Sequence, residues 1–289
     1  MPAPRSPLVL LLLAALCFSA MACAAKLAAR TLPGGQIAFV RFLVMLAPFA
    51  SPALARRAGR FERLDLLAYR GLFGGVAVLL YFLAIERIPV SLATLLNSTS
   101  PVWAVLCAAL FLGERARPLV AAPFAVALVG MALASGALAQ PAAGFRIGLW
   151  EGVALLSAIL AGAAVAAIRA ARRSESSWSI YASFSLCGAA LTAPFALAGW
   201  RWPDAREWAL LAVVGGTSVA AQLLMTHAYR WVTNLQAGVV LQLNVVVTMA
   251  LGVVLLGERL APSQLVGAFL ALGGVIGVIA LQRPPRAIE

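Results

Sequence analysis

The chain has 289 residues, of which 63% are hydrophobic and 11% are charged, and its mean hydropathy is +0.97. Soluble domains are about 45–50% apolar, so this composition excludes a soluble globular protein, which needs more polar residues to cover its surface. The net charge of +12 does not indicate nucleic-acid binding, because the basic residues are scattered between apolar runs instead of lining one face.

Apolar runs of about 20 residues, the length that crosses a bilayer as a helix, alternate with short polar connections along the whole chain. The sequence therefore predicts an all-α integral membrane protein with about ten transmembrane helices. In chain order the predicted spans are Pro7–Ala28, Gln36–Leu54, Leu66–Ile85, Val90–Leu112, Leu119–Ala139, Ile147–Ile168, Trp178–Gly199, Trp208–Tyr229, Leu235–Leu256 and Pro262–Leu281.

The basic residues predict the orientation of these spans. If the N-terminus is cytoplasmic, about twice as many basic residues, Arg70 among them, fall on the cytoplasmic side as on the other side. Arg41 is left over inside a span. We therefore predict a multi-pass protein of the cell inner (cytoplasmic) membrane with both termini in the cytoplasm.

An internal repeat divides the chain. Leu-Gly-Glu-Arg at residues 112–115 recurs at residues 256–259, and Pro118 recurs as Pro262, all at an offset of 144 residues. The repeat predicts two five-helix units, residues 7–139 and 147–281. Because five is odd, the second unit enters the membrane from the opposite side, and inverted repeats of this kind are typical of secondary carriers.

The inversion also predicts where the repeated motif lies on each side of the membrane. Glu114 and Arg115 are expected on the cytoplasmic side, and Glu258 and Arg259 on the external side. We interpret all four as gate residues or helix-end anchors. Their place at the ends of spans does not favour a direct role in binding substrate.

Several short motifs have the order and spacing of a known family. They are Phe18-Ser19 with Lys26 in the first span, Arg41-Phe42 in the second, Ile88-Pro89 and Ser100-Pro101 at the fourth, and the two Leu-Gly-Glu-Arg motifs. The chain resembles the EamA-type carriers of the drug/metabolite transporter superfamily over nearly its whole length. The second unit departs from the pattern, with Asn244-Val245 in place of Ser100-Pro101 and no close match to Arg41.

The resemblance implies alternating-access transport of a polar organic metabolite, by export or by uptake. The family spans amino acids, sugars, nucleotide-related compounds and drugs, so membership does not name a substrate. We expect export of an amino acid-like or cofactor-like metabolite. The alternatives are an uptake carrier for a nucleoside- or S-adenosylmethionine-like compound, and a non-transporting membrane sensor or accessory subunit.

Polar side chains near the middle of the fourth and ninth spans are the candidate substrate ligands. Unpaired polar groups are costly in hydrocarbon, so these faces should point inward, where they line a cavity or form interhelical hydrogen bonds. Pro101 frees a backbone carbonyl there and predicts a hinge or a further ligand group. With neighbouring residues, the candidate set is Asn97, Ser100, Trp103, Tyr81, Gln222, Gln242, Asn244 and Thr248.

Two basic residues, Lys26 and Arg41, are predicted at similar depth toward the outer face. They form either a positive vestibule that attracts a substrate carboxylate or phosphate, or a pair of side chains that snorkel to lipid headgroups. None of the ten acids falls at the centre of a span, so the sequence predicts no midplane carboxylate relay. Facilitated transport, exchange and coupling through His227 stay open.

Other protein classes lack the residues they need. The only lysine, Lys26, is followed by leucine, which excludes a phosphate-binding loop, and one histidine with scattered cysteines excludes a zinc enzyme. We therefore predict a carrier that is not an enzyme, with no cofactor or metal, no nucleic-acid partner, and a small molecule and the lipid bilayer as partners. Gly71/Gly75 and Gly273/Gly277 predict close helix packing. The apolar fifth and tenth spans suit lipid or a homodimer contact.

Overall fold

A computed structural model describes residues 7–53, 56, 61–111, 119, 121–134, 148–171, 174–228 and 240–281. In these residues the secondary structure is helical, with no strand. The helices are α1 Pro7–Ala28, α2 Gly34–Leu46 with a short 3₁₀-helix Ala47–Ala50, α3 Leu64–Arg87, α4 Val90–Asn97, α5 Ser100–Phe111, α6 Ala121–Ala134, α7 Leu149–Ala171, α8 Ser177–Ala198, α9 Ala205–Ala228, α10 Leu243–Leu256 and α11 Pro262–Leu281.

Four of the described helical segments are long and apolar enough to cross a bilayer. They are Leu8–Ala28, Leu64–Arg87, Ser177–Ala198 and Ala205–Met225, each of at least 21 residues and therefore about 30 Å long or more. The remaining apolar helices are shorter, such as Leu243–Leu256 and Pro262–Val278. The prediction of an all-α integral membrane protein is confirmed.

The sequence pattern predicted the fourth span as one continuous helix, but the structure divides it into two. Helix α4 ends at Asn97 and α5 begins at Ser100. Pro101 has no N–H to donate in this turn, and the hydroxyls of Ser98 and Thr99 donate to Leu95 O and Leu96 O at 2.7 and 2.6 Å. The last carbonyls of α4 therefore accept hydrogen bonds from side chains instead of from the backbone of a continuing helix. This interruption supports the hinge predicted at Pro101.

Two other spans also differ from their predicted extent. Helix α2 ends at Leu46 and continues only as a 3₁₀ turn, whereas the predicted helix reached Leu54, because Pro48 interrupts the backbone hydrogen bonds. In the ninth span the backbone forms a turn at Gln242, immediately before α10. Gln242 lies 144 residues after Ser98, so the two helix breaks fall at equivalent positions of the repeat.

The helices pair according to the repeat. Helices at the same position of the two units pack on each other, namely α2 on α8, α4 on α10 and α6 on α11. Helices at different positions of the two units also pack on each other, for example α1 on α9 and its counterpart α7 on α3. This exchange of partners is what a pseudo-twofold axis between the units requires. The fold is therefore two inverted five-helix repeats, as predicted.

The contact between α6 and α11 shows the inversion in detail. A Cβ built on Gly274 would lie 2.6 Å from Pro123 O, and one on Gly267 would lie 2.7 Å from Gly130 O. The later residue of α11 thus meets the earlier residue of α6, so the two helices are antiparallel. Glycine permits this approach because it has no side chain to separate the backbones.

The small-residue pairs predicted from the sequence are used differently. Gly75 lies against α8, where a built Cβ would be 3.1 Å from Gly188 Cα. Gly273 meets no atom within 4 Å, so the predicted packing role of Gly273 is wrong, and its neighbour Gly274 makes the contact instead. The helical rotation of 100° per residue puts the two glycines on different faces of α11.

Candidate transport site

The helix breaks of the two units touch each other. Gln242 Nε2 donates a hydrogen bond to Ser98 O at 3.1 Å, and these two residues are 144 positions apart, the offset of the repeat. A residue that contacts its own counterpart must lie beside the pseudo-twofold axis. Gln242 is 6% exposed, and its Oε1 has no hydrogen-bond partner among the described residues. Broken helices beside such an axis are where inverted-repeat carriers hold substrate.

Asn244 lies two residues after Gln242 and joins α10 to α1. The Ser19 hydroxyl lies 2.9 Å from Asn244 Oδ1, and the Thr248 hydroxyl donates to the same oxygen at 3.2 Å. Thr248 is fully buried, and Asn244 is half-buried. Asn244 and Thr248, both predicted as ligands, are therefore neighbours on one face of α10, and the Ser19 hydroxyl joins that face to α1.

Asn97 joins three helices at the end of α4. Its Nδ2 donates to Ser157 Oγ on α7 at 2.8 Å, and the Ser157 hydroxyl donates to Ala77 O on α3 at 2.7 Å. Ser157 is fully buried. The structure thus gives Asn97 an interhelical hydrogen bond, and its role in holding substrate stays a prediction.

The aromatic candidates lie on either side of the α4–α5 break. Tyr81 is buried, although the sequence placed it near a span end, and its hydroxyl lies 2.7 Å from Thr94 Oγ1. Trp103 Nε1 donates to Thr99 Oγ1 at 3.2 Å, and its ring meets the ring of Phe124 at 5.9 Å. Both indoles and phenols need a hydrogen-bond partner when buried, and here neighbouring threonines supply it.

The other two candidates are half-buried. Ser100 begins α5 and packs against Gly162 of α7, where a built Cβ would lie 2.7 Å from Ser100 O. Gln222 lies on α9. The backbone of His227 belongs to α9, but its side chain lies outside the described part of the structure.

An apolar cavity of about 240 Å³ adjoins Gln242. Its lining consists of this glutamine and five aliphatic residues, Val240, Leu243, Val246, Leu272 and Ile276. Polar candidates other than Gln242 are not part of the lining. The cavity therefore suits an apolar portion of a ligand or a lipid chain beside the axis.

Glu258, which follows the end of α10, joins that end to the beginning of α4. Its carboxylate accepts from Val90 N at 2.6 Å, from Ser91 N at 3.3 Å and from the Ser91 hydroxyl. The first N–H groups of a helix have no partner within it and carry a partial positive charge, so a carboxylate is favoured there. Gly257 has φ of 69°, which lets the chain leave α10 in the turn that brings Glu258 to α4.

Lys26 lies at the same end of the bundle. Its Nζ donates to Ile85 O and Ile88 O at 2.7 and 2.8 Å, at the carboxyl end of α3, where a cation offsets the helix dipole. Glu86 accepts from Gly34 N at 2.8 Å, which joins α3 to the beginning of α2. Lys26 thus holds helix ends together.

A further set of polar contacts joins α2 to the loop before α9. Gln36 Nε2 donates to Arg201 O at 2.7 Å, and Arg201 N donates back to Gln36 Oε1 at 3.1 Å. Arg201 also pairs with Glu207 at 3.2 Å. With the Glu258 and Lys26 contacts, these bonds close the end of the bundle that the sequence predicts to be external.

Lys26 and Arg41 were predicted either to form a positive vestibule or to snorkel to lipid headgroups, and the structure gives them different partners. Lys26 binds the end of α3, whereas Arg41 Nε donates to Ser218 Oγ of α9 at 2.8 Å. Arg41 is 3% exposed. Of the repeated motif, Arg259 is exposed, and Glu114 and Arg115 lie outside the described residues.

Sequence reasoning missed one buried arginine. Arg70 was counted with the cytoplasmic charges, but it is 8% exposed and its guanidinium carbon lies 4.0 Å from the centre of the Phe184 ring. Its place more than one turn inside α3 was the available signal, since an arginine at that depth either snorkels out or turns inward.

Comparison with known proteins agrees with this architecture. The profile of the EamA-like transporter family matches residues 5–136 and 148–280. The chain is 30% identical over 285 residues to a protein named pseudopaline exporter from Pseudomonas aeruginosa (strain UCBPP-PA14), covering 96% of this chain and 94% of that protein. The resemblance to EamA-type carriers is confirmed.

Two further relatives are more distant. A riboflavin transporter of Brucella anthropi is 24% identical over 211 residues, covering 68% of this chain and 71% of that protein. A solved crystal structure with 23% identity and a TM-score of 0.62 covers 96% of this chain and 97% of its own, and it has the same fold. The chain therefore belongs to the EamA-like transporter family and is a multi-pass membrane transporter, not an enzyme.

Proposed function

We propose that this protein exports a small polar organic metabolite, amino acid-like or cofactor-like, across the inner membrane by alternating access. The contact of Gln242 with Ser98 is the observation that carries the proposal. It brings together two helix breaks beside the pseudo-twofold axis and a buried amide oxygen, Gln242 Oε1, that has no partner in the described part of the chain. A substrate can take the place of the Ser98 carbonyl as the acceptor for Gln242 Nε2, and it can donate a hydrogen bond to Gln242 Oε1. It then has polar partners from both units, because Ser98 belongs to the first and Gln242 to the second.

Alternating access follows from the two units, residues 7–139 and 147–281, exchanging conformations. In the described state Glu258 of the second unit binds Val90 and Ser91 at the start of α4 in the first unit. Separation of these residues opens the external end. Ser98 and Gln242 are equivalent positions of the repeat, so the two residues stay close to each other when the units exchange roles.

Export is the direction we favour, because the chain aligns along nearly its whole length with a relative named as an exporter. A second candidate is uptake of a nucleoside- or S-adenosylmethionine-like compound. The match to a riboflavin transporter supports cargo of the size of a cofactor. Metabolite profiling of cells with the gene deleted and overexpressed separates the two, since an exporter raises its substrate in the medium and an uptake carrier depletes it.

We propose that both termini are cytoplasmic, and the following labelling pattern is expected. In a variant with its four cysteines replaced, Arg259→Cys should react with a membrane-impermeant maleimide in intact cells. Glu62→Cys, in the loop before α3, should react only after permeabilisation. Both residues are exposed, so access is decided by the side of the membrane. Labelling of both residues from the same side would overturn the inverted arrangement.

Asn97→Ala and Asn244→Ala are each expected to lower transport about tenfold while expression stays near normal. An interhelical hydrogen bond stabilises a membrane protein by about 0.6 kcal/mol on average, so losing one should not unfold the chain. Substrate counterflow into proteoliposomes measures the effect. Thr217→Val is the matched control, because the Thr217 hydroxyl bonds only to carbonyls of its own helix. Unchanged counterflow in both asparagine variants would remove these residues from the site.

A further inference from the structure

Two arginines are buried in the bundle where α2 and α3 meet α8. Arg41 of α2 is 3% exposed and Arg70 of α3 is 8% exposed. A guanidinium is never deprotonated under ordinary conditions, so both positions carry a full positive charge away from water. Buried charges in membrane proteins are costly and commonly mark substrate or ion pathways.

Both guanidinium groups face the same aromatic ring. The Arg70 guanidinium carbon lies 4.0 Å from the centre of the Phe184 ring, and that of Arg41 lies 5.9 Å from it. The two carbons are therefore at most 9.9 Å apart. Arg41 also lies 4.9 Å from the centre of the Phe42 ring. A ring face attracts a cation but does not neutralise it.

The described structure supplies no counter-charge for the pair. Its ion pairs join Arg63 to Asp65, Arg87 to Glu86 and Arg201 to Glu207, so none includes either buried arginine. Arg41 interacts electrostatically with the phenols of Tyr181 and Tyr81. Both phenols are neutral at physiological pH and cannot balance its charge. Arg70 is repelled by the like charge of Arg41.

The pair also keeps unused hydrogen-bond donors. Arg41 uses Nε on the Ser218 hydroxyl, and among the described residues its Nη1 has no partner. Arg70 Nε has none either. A planar guanidinium with free N–H groups binds an oxyanion such as a carboxylate or a phosphate strongly, because two parallel hydrogen bonds form along with the ion pair.

We propose that Arg41 and Arg70 together bind a carboxylate of the transported metabolite, so that the substrate is an organic anion. The inference rests on the proposed transport function and names its substrate class. The guanidinium carbons are close enough, at most 9.9 Å apart, for one small molecule to contact both arginines. The Phe184 ring forms the apolar wall between the two contacts.

The pair is not repeated in the second unit, which tells where the anion is held. Counting 144 residues from Arg41 and Arg70 leads to Ser185 and Val214. Both charges therefore come from the first unit, whereas Phe184 and the Ser218 hydroxyl come from the second. The substrate carboxylate is therefore held to one side of the axis, between the charges of the first unit and the polar and aromatic groups of the second.

Binding of carboxylates to the purified full-length chain in nanodiscs tests the proposal, with acetate, glutarate, glutamate and citrate as probes. At least one should bind to the wild type, and the matched neutral amide, for glutarate glutaramide, should bind at least tenfold more weakly. Arg41→Gln and Arg70→Gln should each weaken binding about 10- to 100-fold, the effect of one charged hydrogen bond. Arg63→Gln is the control, since Arg63 is exposed and pairs with Asp65.

Arg41→Lys and Arg70→Lys retain the charge, and if a glutamine variant fails to fold they supply the comparison. The lysine variants should bind more weakly than the wild type because lysine cannot form the bidentate contact. Absence of binding by every carboxylate, or equal binding in the wild type and in the folded arginine variants, would overturn the proposal. A wild type that shows counterflow of a neutral substrate alone would overturn this inference and leave the transport function intact.

Discussion

Gly274→Leu is expected to destabilise the protein strongly, whereas Gly273→Leu, one residue earlier in the same helix, is expected to have almost no effect. A Cβ at Gly274 would lie 2.6 Å from Pro123 O and 2.7 Å from Ala127 Cα. These are backbone atoms of α6, which cannot move aside without separating the helices. Forcing extra atoms into a packed contact costs about 1–3 kcal/mol or more.

The measurement is thermal unfolding in detergent, followed by the loss of monodisperse protein after heating. We expect the midpoint for Gly274→Leu to fall by about 5 °C or more. Gly273 is exposed and meets no atom within 4 Å, so its leucine enters the lipid-facing layer, and such surface changes are usually within about 0.5 kcal/mol. Equal midpoints for the two variants would show that α6 and α11 do not pack through Gly274.

Glu258→Gln is expected to open the external end of the transporter. The carboxylate accepts hydrogen bonds from Val90 N and Ser91 N at the beginning of α4, where its charge also meets the helix dipole. Losing the charge should cost about 2 kcal/mol, which shifts a two-state equilibrium roughly thirtyfold toward the open state. Glutamine keeps the shape of the side chain, so packing is preserved.

Labelling of a cysteine at Leu95 measures this shift, because Leu95 is 2% exposed in the closed state and lies on α4. In an otherwise cysteine-free chain, Leu95→Cys should react with an impermeant maleimide at least tenfold faster when Glu258 is glutamine. Glu151→Gln is the control, since it removes an acid from the first turn of another helix, α7. A labelling rate unaffected by Glu258→Gln would exclude the contact as a gate.

Composition and the repeat were sufficient to predict the fold class. A bilayer requires helices of about 20 apolar residues, and this requirement is visible in any apolar run. The duplication of residues 112–115 at 256–259 then predicted the inversion, because five spans separate the copies. The break at Ser98 was indicated by Pro101, but the equivalent break at Gln242 has no proline and left no local signal.

The candidate site was harder to predict because its contacts join distant parts of the chain. Gln242 was among the predicted ligands, but its partner is a backbone carbonyl, which no sequence pattern identifies. Arg70 was assigned to the surface because charge counting gives only the end of a span, not the direction of the side chain. Its burial depends on Phe184, 114 residues later, and on the glycine at position 74 that leaves room beside it.

The contact between Ser98 and Gln242 differs in kind from the contact between Glu258 and α4. Exchange of the two units maps the residue pair Ser98 and Gln242 onto itself, so the two residues stay close to each other in both access states. The second maps onto residues at the opposite end, so it exists in one state only. Substitutions at the axis should therefore change the turnover rate, because the pair lies beside the proposed site in both states. Substitutions at Glu258 should bias which side of the membrane the carrier faces between cycles.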